Sequence, residues 1–378
     1  MKVGILRVGS SDWLGGTYYT KTIAQVVRDM GHDVCWVVTS ASDVGNDTND
    51  PVIRAPISSS IIRRGITRIG RHFGHPYPSL EFELRRNGID VAIPLMFSLG
   101  AHARSGWVGW IPDFQHFEQP EHFTAAQVSI RDRGHRSLVS DSRVLALSSL
   151  HAANLAEERY PDSREKTVVL RFAASLDNGA WATGTQTVPI AYGIEEPFVY
   201  LPNQFWAHKN HRTVFQAWSL LGIRAPLLVC TGSLNDHRNP EYFDSVMAMF
   251  PAEVKSRVRI LGIVPRQDQL ALFRNAAIVL NPSRYEGWST TVEEGLAFGK
   301  QLLLSELPVF KEQAGSSATY FPSTSVTELA EVVNRMASSL SLGIDHAAEA
   351  RGRIHHSQRK ALFMESLSKA LKLAQAKR

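Results

Sequence analysis

The chain has few cysteines: Cys35 and Cys230 are the two in 378 residues. They lie far apart in apolar runs. That excludes a disulfide framework and a cysteine-type metal site, and reads as two buried thiols of a reducing compartment. No apolar run approaches the roughly 20 residues a membrane helix needs. The opening "MKVGILRVGSSDW" lacks the pattern of a secretory leader, so the expected location is cytoplasmic. No G-x-G-x-x-G follows the first strand, which removes the dinucleotide fingerprint and disfavours a nicotinamide-dependent dehydrogenase. No short cluster of His, Asp or Glu has a recognised ligand spacing, so no metal is expected. The excess of positive charge is small, +5 from 41 basic and 36 acidic residues. It allows an anionic ligand or a membrane surface and gives no ground for a nucleic-acid partner.

What is present is alternation. Hydrophobic residues make up 44% and charged residues 20%, a globular composition, and the length fits two domains. "VGILRV", "DVCWVVTS", "VAIPL", "WVGWI", "RVLALSS" and "KTVVLRF" read as strands, with helices between several of them. The stretch 173–196, rich in Gly, Ala, Thr and Asn, breaks the pattern and reads as a connector. Then "PFVYLP", "PLLVCTG", "RVRILGIV", "AIVLNPS", "QLLLS" and "ATYFP" alternate with helical segments. The last segment is amphipathic, with Leu362, Phe363, Leu367 and Leu371 at helical spacing. The expected fold class is α/β: two tandem doubly wound Rossmann-like domains with a cleft between them, 1–190 and 191–355, and a C-terminal helix 356–378 that crosses back to the first. Ligands bind outside the carboxyl ends of such sheets, so the cleft is the default site.

Three loops carry chemistry. "GSSDWLGG" leads into a helix, and Gly15 and Gly16 stand just before it. Bare N–H groups there can meet a phosphate; a tight turn needing positive φ is the other reading. In "YLPNQFWAHKNH", Lys209 stands at a strand end just ahead of a helix, where its ammonium can aim at a diphosphate. Asn203, His208 and His211 are nearby donors. A solvated basic loop is the alternative.

The third loop, "RYEGWSTTVEEG" at 284–295, follows the apolar strand "AIVL". Two capping boxes compete, Thr290 with Glu293 and Thr291 with Glu294. Neighbouring helical side chains diverge by about 100°, so Glu293 and Glu294 cannot face one place. With Thr290 as the cap, Glu293 is structural and Glu294 faces the cleft beside Glu286. A carboxylate accepts from vicinal hydroxyls, and a helix N-terminus suits phosphate oxygens. One loop thus offers both halves of a sugar-nucleotide site.

Glu286 and Glu294 form the E-x7-E pattern, and with the loops above the chain resembles the retaining glycosyltransferases of the GT-B fold, family 4. "YLPNQFWAHKNH" is similar to the donor-phosphate lysine region of bacterial mannosyltransferases of O-antigen and capsular polysaccharide synthesis. "WIPDFQHFEQPEHF" at 110–123 is similar to their histidine loop. The resemblance implies an acceptor-binding first domain and a donor-binding second one. It assigns Glu294 to the ribose hydroxyls and Glu286 to the transferred sugar. Backbone groups of Gly287, Trp288, Ser289, Thr290 and Thr291 would hold sugar and diphosphate. Lys209 would neutralise the departing diphosphate, Gly15 and Gly16 would approach it, His116 would face sugar or acceptor, and Val264 would lie beside the nucleobase. Where many members carry an arginine six residues before the lysine, this chain has Asn203. Arg212 or a histidine such as His208 is the candidate substitute.

The implied reaction moves a hexose, with GDP-mannose favoured as donor, to a glycan or lipid-linked saccharide acceptor in polysaccharide biosynthesis, by a retaining and metal-independent route without a cofactor. A sugar-nucleotide epimerase, a phosphorylase or a non-catalytic sugar-binding partner of an assembly complex are the rivals. His116 is also open to a structural reading, with Asp113 orienting it or capping a turn. Finally, "IIRRGITRIGRHF" at 61–73 has an apolar stripe flanked by Arg63, Arg64, Arg68 and Arg71. It reads either as a helix docked on the first domain or as one lying on an anionic membrane, which would place the protein on the inner membrane face.

Overall fold

The computed structural model describes residues 1–9, 13–39, 50–55, 57, 75–176, 178–182 and 185–375. The basic stripe at 61–73 lies outside the described residues. The chain forms two compact units, Met1–Ser175 with Arg359–Arg378, and Leu176–Gln358.

The first unit holds β1 (Lys2–Leu6), β2 (Asp33–Val38), β3 (Val52–Arg54), β4 (Val91–Leu95), β5 (Gly106–Ile111), β6 (Val144–Leu147) and β7 (Thr167–Val169). They form one parallel sheet in the order β3-β2-β1-β4-β5-β6-β7. The strands are near-continuous apolar runs because helices cover both faces. Leu6, Val37, Ala92, Leu95, Ile111 and Leu147 build the core on one face.

The second unit holds β8 (Phe198–Leu201), β9 (Leu227–Cys230), β10 (Val258–Ile260), β11 (Ile278–Asn281), β12 (Gln301–Ser305) and β13 (Ala318–Phe321). The order is β10-β9-β8-β11-β12-β13, again all parallel. After β8 the chain winds outward through β9 and β10, then returns to the other side of β8 with β11. The winding direction therefore reverses between β8 and β11, and this is the crevice where a doubly wound sheet binds its ligand. The loops after these two strands are the ones that hold Lys209 and Glu286.

The connector belongs to the second unit, so the division falls at 175/176 where the sequence placed it at 190/191. The reason is local packing. Trp181 lies against Phe298 and His356, and the buried Arg274 guanidinium donates to the Ala182 carbonyl and to Thr185 Oγ1 at 3.2 Å. The last helix starts earlier than expected, at His346, and runs to Gln375. Its buried stripe is Phe363, Leu367, Ala370, Leu371 and Ala374, while Leu362 is 64% exposed. No helix among the described residues is long and apolar enough to cross a membrane.

Candidate functional site

The strand–helix loop after β11 is built from a buried web of neutral hydrogen bonds. Asn281 closes the strand. Its Oδ1 accepts from Asn203 Nδ2 at 2.9 Å, its Nδ2 donates to Ser289 Oγ at 3.0 Å, and Ser283 Oγ lies 2.7 Å from the same Oδ1. Ser289 caps the helix Thr290–Ala297: its Oγ accepts from the Val292 N–H at 3.3 Å. Gln313, from the helix Pro308–Ala314, accepts from the Ser289 N–H at 3.1 Å and donates to the Ser289 carbonyl at 3.1 Å and to Glu293 Oε1 at 3.0 Å.

This corrects the capping expectation. Neither Thr290 nor Thr291 is the cap; the cap stands one residue earlier, at Ser289, and Thr290 is the first helical residue. Glu293 is buried and fixed by Gln313 rather than by a capping box. Thr291 Oγ1 lies 3.3 Å from Asn203 Oδ1, which ties the loop after β8 to this helix. The cap satisfies the Val292 N–H and leaves the N–H groups of Thr290 and Thr291 to other acceptors. Thr290 and Gly287 are half-buried, whereas Trp288 is buried.

The two carboxylates of the E-x7-E pattern each lie against a cation. Glu286 Oε1 receives Lys209 Nζ at 2.6 Å and stands 2.8 Å from Ser283 Oγ. Glu294 Oε1 receives Arg266 Nη2. Lys209 is positioned by a single turn, Ala207–Lys209, and then by Asn210 in the left-handed region at φ +59°. Asn210 holds that conformation with its side chain: Nδ2 donates to the carbonyls of Pro282 and Ser323 at 3.0 and 2.8 Å, and Oδ1 accepts from Thr213 Oγ1 at 2.9 Å. The Arg284 N–H donates to the His208 carbonyl at 2.8 Å, so the two loops are joined by backbone as well.

The other expected residues have the following surroundings. Asn203 is buried and joins the two loops. The Arg212 guanidinium turns to Ser245 and Met249 on and beside the helix Tyr242–Met247, at 3.2 and 3.1 Å. His208 is buried beside Trp206, and His211 is stacked on Phe205 at 3.9 Å. Burial pushes the His211 imidazole down to about 3, so it brings no charge to an anion at neutral pH. Val264 is half-buried, beside an Ile263 that is 70% exposed.

In the first unit, Gly15 and Gly16 lie inside the first turn of the helix Leu14–Asp29, not ahead of it. The positive φ belongs to Gly9, at +100°, where a Cβ would stand 2.4 Å from the Thr17 nitrogen. Gly16 is needed for the same close approach, since its own Cβ would meet Gly9 at 3.1 Å.

The His116 ring is enclosed by aromatic neighbours. It is fully buried in the short helix Gln115–Glu118, with Phe117 at 4.0 Å and His135 at 5.0 Å. Asp113 turns the chain inward there: its Oδ1 accepts from the Gln115 N–H at 3.0 Å and pairs with Arg131 at 2.9 Å. Burial, then the nearby Arg131 charge, push His116 down to about 4.

Sequence reasoning missed Arg266, Asn281, Ser283 and Gln313. The first lies two residues after Val264, but its partner is 28 residues away. Asn281 and Ser283 stand at a strand end, a position that could have marked them.

Residues 197–339 match the family model described as Glycosyl transferases group 1. That segment includes all six strands of the second unit and both carboxylates. No curated protein matches the chain. Solved structures share the fold over nearly the whole length. A glycosyltransferase from Rickettsia africae has a TM-score of 0.69 at 14% identity, covering 99% of this chain and 95% of that one. HepE from Anabaena, solved in complex with UDP and glucose, has a TM-score of 0.70 at 16% identity, covering 98% and 99%. Sucrose-phosphate synthase from Thermosynechococcus elongatus has a TM-score of 0.69 at 14% identity, covering 99% and 97%. The two parallel Rossmann-like sheets are those of the GT-B fold.

Proposed function

We propose that the chain is a retaining, metal-independent hexosyltransferase that moves a hexose from a nucleoside-diphosphate sugar to a glycan or lipid-linked saccharide in polysaccharide biosynthesis. One observation carries the reading. Glu286 and Glu294 flank a single helix start at the winding reversal of the second sheet, each against a cation, inside the segment that matches the group 1 model.

On this reading Glu294 accepts from the ribose hydroxyls and Glu286 from the hexose. The C1–oxygen bond to the diphosphate breaks, and C1 bonds the acceptor oxygen on the same face. The acceptor proton goes to the departing diphosphate. Lys209, already beside Glu286, neutralises that charge together with the helix N-terminus.

GDP-mannose is the favoured donor because the Lys209 loop is most like that of mannosyltransferases. The Anabaena structure, with its UDP and glucose, favours a UDP-hexose as the second reading. Calorimetry with GDP, UDP and dTDP and their sugars separates the two. Proton NMR of the product in EDTA then reads its anomeric configuration. A chain that binds none of these nucleotides is not a glycosyltransferase of this kind. Turnover without an acceptor would mark an epimerase, and a need for free phosphate a phosphorylase.

A place on the inner face of an anionic membrane belongs to the same proposal. Replacing Arg63, Arg64, Arg68 and Arg71 by Gln should release the protein from anionic liposomes; unchanged binding would sink the membrane part alone.

A further inference from the structure

Arg266 opens the helix Arg266–Asn275, two residues after Val264. Its Nη1 donates to Gln269 Oε1 on the next turn of its own helix at 2.7 Å, and its Nη2 to Glu294 Oε1. The guanidinium is thus held from its own helix while it reaches across to a second one. The Glu294 side chain is 5% exposed and that of Arg266 26%. A carboxylate this enclosed needs a charge partner and a fixed hydrogen bond.

The surroundings offer Glu294 few others. β11 and β12, which pack against its helix, bring no charged side chain. The helix Pro308–Ala314 brings Lys311, which pairs with Glu306 at 3.8 Å, and Glu312. Glu293 is turned to Gln313. β8 brings Tyr200, whose hydroxyl lies 2.7 Å from Thr231 Oγ1.

We infer that Arg266 is a positioning residue for donor recognition: it occupies one oxygen of Glu294, aims the other at the ribose hydroxyls, and so carries selectivity for ribose over deoxyribose. The inference rests on the proposed role of Glu294. A carboxylate that is free to rotate offers its oxygens to either hydroxyl or to water. One held at a single oxygen by a guanidinium that its own helix also fixes presents the other oxygen in a set direction. A nucleotide that lacks the hydroxyl then leaves that buried acceptor unpaired, and this is how a polar site rejects a deoxy analogue.

The test is calorimetry of UDP or GDP, whichever the parent binds, against its 2′-deoxy and 3′-deoxy forms. The parent should prefer the ribo form over at least one deoxy form by about tenfold or more. Arg266→Gln should bring that ratio to within about twofold, by weakening the ribo form and sparing the deoxy form. Arg266→Lys, which keeps the charge and loses the fork, should restore part of the ratio and serves if the Gln variant does not fold. Arg266→Gln weakening both forms by the same factor, or neither, overturns the inference while the donor site stands. A parent that binds no nucleoside diphosphate, or Glu294→Gln that keeps the full ratio, overturns the role of Glu294 and the inference with it.

Discussion

In the first unit His116 and His135 lie ring to ring at 5.0 Å, and among the described residues neither nitrogen of His116 has a hydrogen-bond partner. In the second unit Glu286 and Glu294 are nearly as enclosed, yet each lies against a cation. The difference follows from what each group can do when water leaves. An imidazole sheds its proton and packs as a neutral ring: burial pushes His116 down to about 4, and burial, with His116 beside it, pushes His135 to about 3. A carboxylate that must stay charged requires a counter-ion within reach. The histidine pair packs as neutral rings, and the two carboxylates keep their charge beside a cation, the arrangement on which their proposed ligand roles rest.

Lys209→Ala breaks the charged side most deeply. Turnover should fall roughly 10²- to 10³-fold, the usual cost of losing one donor aimed at developing charge, while donor affinity changes far less. Single-turnover rates beside calorimetry give that split, and a variant with full turnover would remove Lys209 from the site. Glu294→Ala should weaken donor binding by roughly tenfold to a hundredfold, the worth of a hydrogen bond to a charged group. Its rate at saturating donor should hold nearer the parent's.

The neutral side is sharpened by pH. His116, His135 and His211 sit below the ordinary value of 6.5, at about 4, 3 and 3. The unfolded chain takes up protons on these rings below 6.5 and the folded chain does not until near 3 to 4. Their contribution is therefore fully present above about 6.5 and is lost as pH falls toward 4. Urea midpoints measured across that range should decline, and His116→Phe should flatten part of the decline. An identical slope in the variant would contradict the neutral-pair account. At the helix start, Ser289→Ala should cost about 1 kcal/mol for the lost cap and about 1 kcal/mol or more for the Asn281 amide left without its acceptor, read as a shift in the urea midpoint.

The alternation of strands and helices was legible because parallel strands buried on both faces are plain apolar runs, as "AIVL" and "LLVC" are. The three residues of β3, at the sheet edge with only Ile53 buried, gave no such run. Helix phase was less legible. "STTVEE" holds three hydroxyl residues in a row, any of which can cap, and the choice of Ser289 was made by Asn281 and Gln313, eight and 24 residues away. Leu362 and Phe363 posed the same question in the last helix, and the one-residue difference sends one to solvent and the other to the core. The pairing of Glu286 with Lys209 could be anticipated, since both loops leave neighbouring strands. That of Glu294 with Arg266 could not, because it depends on where the crossover helix between β10 and β11 is laid against the sheet, which no local pattern encodes.

The neutral web of Asn203, Asn281, Ser289, Thr291 and Gln313 has a thermodynamic consequence. It is made of amides and hydroxyls that do not titrate, and its bonds are made within the fold. The loop with Glu286 and the helix start with Glu294 are tied into the fold by this web, so on the proposed reading donor binding should add little further loss of backbone freedom. Association at the second unit should then show the heat-capacity change of the ligand's own buried surface and no excess from loop ordering.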